Sequence, residues 1–114
     1  MKHQVEITER GYLRLSAATA ETLFPEDVLI AMYKPGELLL LPTRGPGGGG
    51  LLLKQYTVQG DRAVLLTEVL PFVEGETQHT GTWHGDWDEQ AHALRVKLEA
   101  QPLPAAPDPL TLSR

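Results

Sequence analysis

Apolar and polar positions alternate with a period of two at the start of the chain. Val5 and Ile7 alternate with Gln4, Glu6 and Thr8, the pattern of a strand with one wet face. Gly11 breaks the run, and Tyr12, Leu13 and Leu15 resume it against Arg14 and Ser16, so residues 4 to 16 predict a hairpin around a glycine turn. Ser16 is placed to cap a helix, and the Ala-rich stretch to Phe24 sets Ala17, Ala20, Leu23 and Phe24 on one side of it. Pro25 stops that helix, because the residue before proline is pushed out of the α region. Val28 to Tyr33 and Leu38 to Leu41 predict a second, more apolar hairpin around Pro35-Gly36, which suit the central positions of a type II turn.

Beyond the glycine run the same logic continues. Strands are expected at Leu51 to Thr57 and Arg62 to Leu70, joined at Gln59-Gly60-Asp61, with Pro71 ending the second and polar loop from 72 to 81. Thr82 to Trp87 and Ala91 to Leu98 are expected to pair across Asp88-Glu89-Gln90. The pattern therefore predicts a mainly β fold, a hairpin-built small barrel or sandwich of about eight short strands with one short helix. It divides into a β-hairpin/helix/β-hairpin unit at 1–43, a Gly/Pro linker at 44–50, an antiparallel β meander at 51–98 and a Pro-rich flexible tail at 99–114. One compact domain, two very small ones, or a subunit that needs a copy of itself would all satisfy this division.

The order of elements over residues 4 to 42 carries a resemblance. Val5-Glu6-Ile7, Gly11, Leu13, Leu15, Leu23, Asp27-Val28 and Gly36-Glu37 followed by four leucines and Pro42 resemble the AbrB-like swapped-hairpin domain of bacterial transition-state regulators and antitoxins. The resemblance implies a homodimer of interleaved hairpins and, as an alternative function, DNA binding through Arg10 and Arg14. The chain departs from the family pattern at Tyr12 and Ser16, where arginine and proline are usual, and its few basic residues here are matched by acidic ones. Further on, GLLLKQ, GDRAVLLTEVLP and ALRVKL look like stretches of small accessory proteins encoded beside bacterial nickel–iron hydrogenases. That likeness implies a maturation-type role on a larger complex.

Charge narrows the partners. Fifteen acidic residues against ten basic ones give a formal charge of −5, and between Glu74 and Leu94 there are five carboxylates and no Lys or Arg. Such a surface repels phosphates, which argues against generic binding to nucleic acid or anionic membrane. There is no cysteine, hence neither a disulfide framework nor a thiolate metal site. The opening MKHQVEIT lacks the apolar core of a signal peptide, and no apolar run nears the ~20 residues that span a bilayer, so a cytoplasmic, soluble protein is expected.

Candidate chemistry concentrates in one segment. His79, His84 and His92, near Asp86 and Asp88, are weak candidates for a divalent-metal site and would make the chain a metal-binding chaperone, although their spacing matches no established ligand pattern. Trp83 and Trp87 fall on one side of a strand, with His84 and Asp86 on the other. They either cover a thin core or, with Asp86 and Asp88, anchor a protein partner. No Ser/His/Asp order with an elbow glycine is present, and the glycine run lacks the Lys-Ser/Thr pair of a phosphate loop. A non-enzymatic protein without a cofactor is expected, acting through protein–protein contacts.

Overall fold

The computed structural model describes residues 2–43, 50–73, 76–77 and 79–98. The predicted linker apart from Gly50 and the predicted tail lie outside these residues. The described chain is mostly β. Nine strands form a nearly closed, barrel-shaped antiparallel sheet, and one helix packs its apolar side on it. Those nine are β1 (Lys2–Ile7), β2 (Tyr12–Leu15), β3 (Val28–Lys34), β4 (Glu37–Pro42), β5 (Leu51–Leu52), β6 (Lys54–Gln55), β7 (Arg62–Leu65), β10 (Gly81–Asp88) and β11 (Ala93–Lys97), and β8 (Phe72–Val73) and β9 (Glu76–Thr77) pair separately. The helix is α1 (Ala17–Leu23).

Both N-terminal hairpins form as the alternation requires. Val5 faces Leu15 and Ile7 faces Leu13 across β1 and β2, and the turn between them closes through Gly11 at φ 90°. Gly36, at φ 86°, takes the second central position of the β3–β4 turn, where a type II turn needs a positive φ. Ser16 caps α1, its hydroxyl accepting from the Thr19 amide at 3.2 Å. The helix inserts Ala20 into the core, and Phe24, its C-cap, is fully buried beside it.

Residues 2–42 and 50–98 do not form separate sheets. The strand order is β5-β3-β4-β11-β10-β1-β2-β7-β6, so strands of the two stretches interleave and share one core. Leu38, Leu40, Leu94 and Val96 meet the side chains of β1 and β2 in that core, with Trp83 and Val64 completing it. The two terminal strands of the order, β5 and β6, are separated in the chain by Leu53 alone. One short segment thus pairs with β3 through Leu51 and Leu52, then with β7 through Lys54 and Gln55, and nearly closes the barrel.

Asp27 holds this closure. Its carbonyl accepts the Leu53 amide at 2.7 Å, and its carboxylate accepts Arg62 Nε of β7 at 2.9 Å. The residue sits at φ 57°, a left-handed conformation that Asp tolerates better than most side chains. Asp61, in the turn before β7, reaches across to accept the Ala17 amide at 2.9 Å, tying the start of α1 to the second half of the chain.

Three expectations are corrected. The strand expected over 51–57 changes partner at Leu53 and is two strands, because residues 51–52 pair with β3 at one edge of the sheet and residues 54–55 with β7 at the other. The strand expected over 62–70 ends at Leu65. Leu66 to Leu70 instead make a turn in which the Val69 and Leu70 amides both bond the Leu66 carbonyl, placing Leu66 and Leu70 in the core one turn apart. The loop expected over 72–81 contains the two-residue ladder β8–β9 and the first residue of β10.

Candidate functional site

The paired tryptophans have different surroundings. On β10 the inner positions are Trp83, Gly85 and Trp87, and the outer ones His84 and Asp86. Trp83 is only 5 % exposed, and its indole N–H donates to the His79 carbonyl at 2.9 Å. It is a core residue. Trp87 packs on the same core but remains partly exposed, its ring 5.1 Å from that of His92 in an edge-on contact. Gly85 makes room between them, since a Cβ there would lie 2.9 Å from Leu94 Cγ.

Trp87 forms one wall of an open groove of about 830 Å³. Leu23 and Pro25, at the end of α1, and Pro42, at the end of β4, supply the other apolar walls, with His92 from the β10–β11 turn beside Trp87. Glu26, Thr22 and Thr43 complete the lining. His92 has φ 52°, a conformation uncommon for a residue with a Cβ, and it closes a turn whose Gln90 and Ala91 amides both bond the Asp88 carboxylate. Three parts of the sequence meet here, so the groove exists only once β11 lies between β4 and β10. Sequence reasoning singled out Trp87 and His92 but missed Leu23, Pro25 and Pro42. Nothing in the linear pattern brings the ends of α1 and β4 beside the β10–β11 turn.

The other candidates lie apart. Asp86 is exposed on the outer face of β10, whereas Asp88 bonds Arg95 at 2.9 Å. Arg95 also holds Glu37 at 2.7 Å, so β4, β11 and β10 are linked across the outer surface by one guanidinium. That guanidinium donates hydrogen bonds to both carboxyl groups and holds each below the usual carboxylate range, while the same hydrogen bonds, with the carboxylate charges behind them, raise its own pKa. His79 is partly buried against Trp83, with Tyr33 Oη 3.2 Å from its Nε2, and the loss of water around it lowers its pKa. His84 points outward and His92 into the groove, and among the described residues no three His, Cys, Asp or Glu side chains are grouped as a metal ion would need.

Arg10 and Arg14 lie on the β1–β2 hairpin. Arg14 pairs with Glu6 at 3.3 Å and stands 5.1 Å above the ring of Tyr56. Around it Tyr12, Tyr56 and Leu65 are exposed, and Tyr12 and Leu65 are direct cross-strand neighbours. No described helix is long and apolar enough to cross a membrane. The chain matches no protein-family model, no curated protein and no solved structure.

Proposed function

We propose that this chain is a non-catalytic protein–protein interaction module, an assembly-accessory protein of the maturation type, and that Trp87 in its groove is the principal contact. The observation that carries the reading is a tryptophan left partly exposed in a groove that two prolines also line, in a barrel where no described buried side-chain N or O atom lacks a partner. Aromatic rings set in pockets dominate the energetics of protein interfaces. The exposed Tyr12, Tyr56 and Leu65 give the same reading a second apolar surface. A hydrogenase-type complex is the setting that the likeness of residues 50–98 implies.

The single-chain barrel favours a monomeric module over a dimer of swapped hairpins. Each of β1 to β4 already has a neighbour on both sides within the same chain. DNA binding by the β1–β2 hairpin draws less support, because Arg14 is engaged by Glu6 and Tyr56, and Glu9 stands next to Arg10.

The test is a tagged capture from the native lysate with the wild type and Trp87→Ala side by side, read by mass spectrometry. A stoichiometric protein captured by the wild type and lost from a folded Trp87→Ala supports the reading. A partner retained in full by Trp87→Ala refutes it, and recovery that depends on intact nucleic acid favours the regulator instead.

A further inference from the structure

Resting on that reading, we infer that the groove takes a short segment of the partner in which an apolar anchor is flanked by Lys or Arg. The walls set the first half of this requirement. Leu23, Pro25, Pro42 and Trp87 present carbon surface, and the two prolines have no amide to donate. A ligand held there gains from burial and ring contact, not from a ladder of backbone bonds.

Charge sets the second half. Glu26 lines the groove, Glu21 is the neighbour of Thr22, and Glu89 sits in the turn between Trp87 and His92. All three are exposed, and none makes an ion pair with a described residue. Among the described residues, two arginines of the neighbouring strands are already engaged, Arg62 by Asp27 and Arg95 by Glu37 and Asp88. Among the described residues of α1, β10 and the turns that form the groove, no Lys or Arg offsets these carboxylates. An approaching cation therefore meets a rim on which the described charges are negative, and beyond it the Trp87 indole, the best aromatic host for a cation. Anionic ligands, phosphorylated segments included, are repelled by the same rim.

The experiment is a selection from a phage-displayed library of random dodecapeptides on immobilised full-length protein. Enriched peptides are then synthesised with a fluorescein label and titrated by anisotropy. The expected result is a consensus with Lys or Arg beside Leu, Pro or an aromatic residue. Binding should be at least tenfold weaker to Trp87→Ala and about fivefold to tenfold weaker to the combined variant Glu21→Gln, Glu26→Gln, Glu89→Gln. That combined variant changes only exposed side chains, so its fold is preserved. Salt raised from about 0.05 M to about 0.5 M should weaken binding to the wild type much more than to the combined variant.

Neutral or acidic consensus peptides that still need Trp87 would overturn the charge requirement and leave the interaction reading intact. Peptides that bind Trp87→Ala as well as the wild type, or no enrichment at all, would overturn both.

Discussion

Replacing Trp83 and Trp87 one at a time should separate folding from binding. A buried tryptophan removes about 150–250 Å² from water, which at about 25 cal/mol per Å² amounts to about 4–6 kcal/mol. Allowing for surface already buried in the unfolded chain brings this to about 3–5 kcal/mol, the usual cost of Trp→Ala in a core. Trp83 deserves the full figure, because it is 5 % exposed and its indole also bonds the His79 carbonyl. Trp87, with part of its ring in the groove, should cost about 2 kcal/mol. Domains of this size are stable by about 5–15 kcal/mol, so Trp83→Ala should lose a large share of that stability while Trp87→Ala loses much less and remains folded.

Equilibrium urea unfolding followed by far-UV circular dichroism measures both. With a slope of about 1.5 kcal/mol per M, the midpoint should fall by about 2–3 M for Trp83→Ala and by about 1–1.5 M for Trp87→Ala. Trp83→Phe, which keeps most of the carbon surface and loses only the N–H bond, should lie between the wild type and Trp83→Ala. A Trp83→Ala midpoint within about 0.5 M of the wild type, equivalent to about 0.75 kcal/mol at that slope, would refute the assignment of Trp83 to the core. So would a Trp87→Ala that is the less stable of the two.

Other consequences are equally open to test. Gly85→Ala places a Cβ 2.9 Å from Leu94 Cγ, so it should destabilise by about 1–3 kcal/mol in the same urea assay, and a neutral result would mean that β10 and β11 are packed more loosely. Asp27→Ala loses the Arg62 pair and keeps an unfavourable positive φ, so it should cost about 2 kcal/mol, with Asp27→Asn costing less because Asn tolerates that backbone. Equal losses for the two would show that the backbone conformation of residue 27 is immaterial. Glu37 and Asp88 titrate below their ordinary values near 4.5 and 3.8, so their contribution is complete above about pH 4.5 and is lost as pH falls through the lowered values. Arg95→Met should flatten the urea midpoint against pH below that point, and an unchanged acid slope would contradict the network. His79, lowered by burial from 6.5, makes the unfolded chain bind a proton before the folded one does. Stability should therefore fall as pH drops below about 6.5, and His79→Gln should remove that step.

Local patterns carried the strands and helix, and long-range geometry carried the rest. Alternation at Val5, Ile7, Leu13 and Leu15, the Ser16 cap and the Gly36 turn were legible because each depends on a few consecutive residues. The ending of β7 at Leu65 was not, since Leu65, Leu66 and Leu70 fit a buried strand and a strand-to-turn transition equally well in sequence. Leu53 is a clearer case. Its neighbours read as one continuous strand, and only the circular strand order reveals that the segment leaves β3 and joins β7 there. The candidate site divided in the same way. Trp83 and Trp87 share a face by periodicity, but their different burial depends on what covers each end of β10, and the walls of the groove come from α1 and β4.

The interleaving also bears on function. A swapped-hairpin dimer completes its core with a second copy, and the two-fold axis then doubles every surface residue, which suits the symmetric half-sites of DNA. Here β10, β11, β7 and β5 flank the first four strands, so the same chain fills those places. The second half is not a repeat of the first, and the surface it creates has no symmetric counterpart. On the proposed monomeric reading Arg10 and Arg14 occur once, beside Glu6 and Glu9, and a single pair of arginines offers few phosphate contacts against an overall charge of −5. What the barrel does present once, and could only form by interleaving, is the groove at Trp87. On the proposed reading, the apolar groove among the described residues, with Glu26 in its lining, would meet a different protein, one copy to one site.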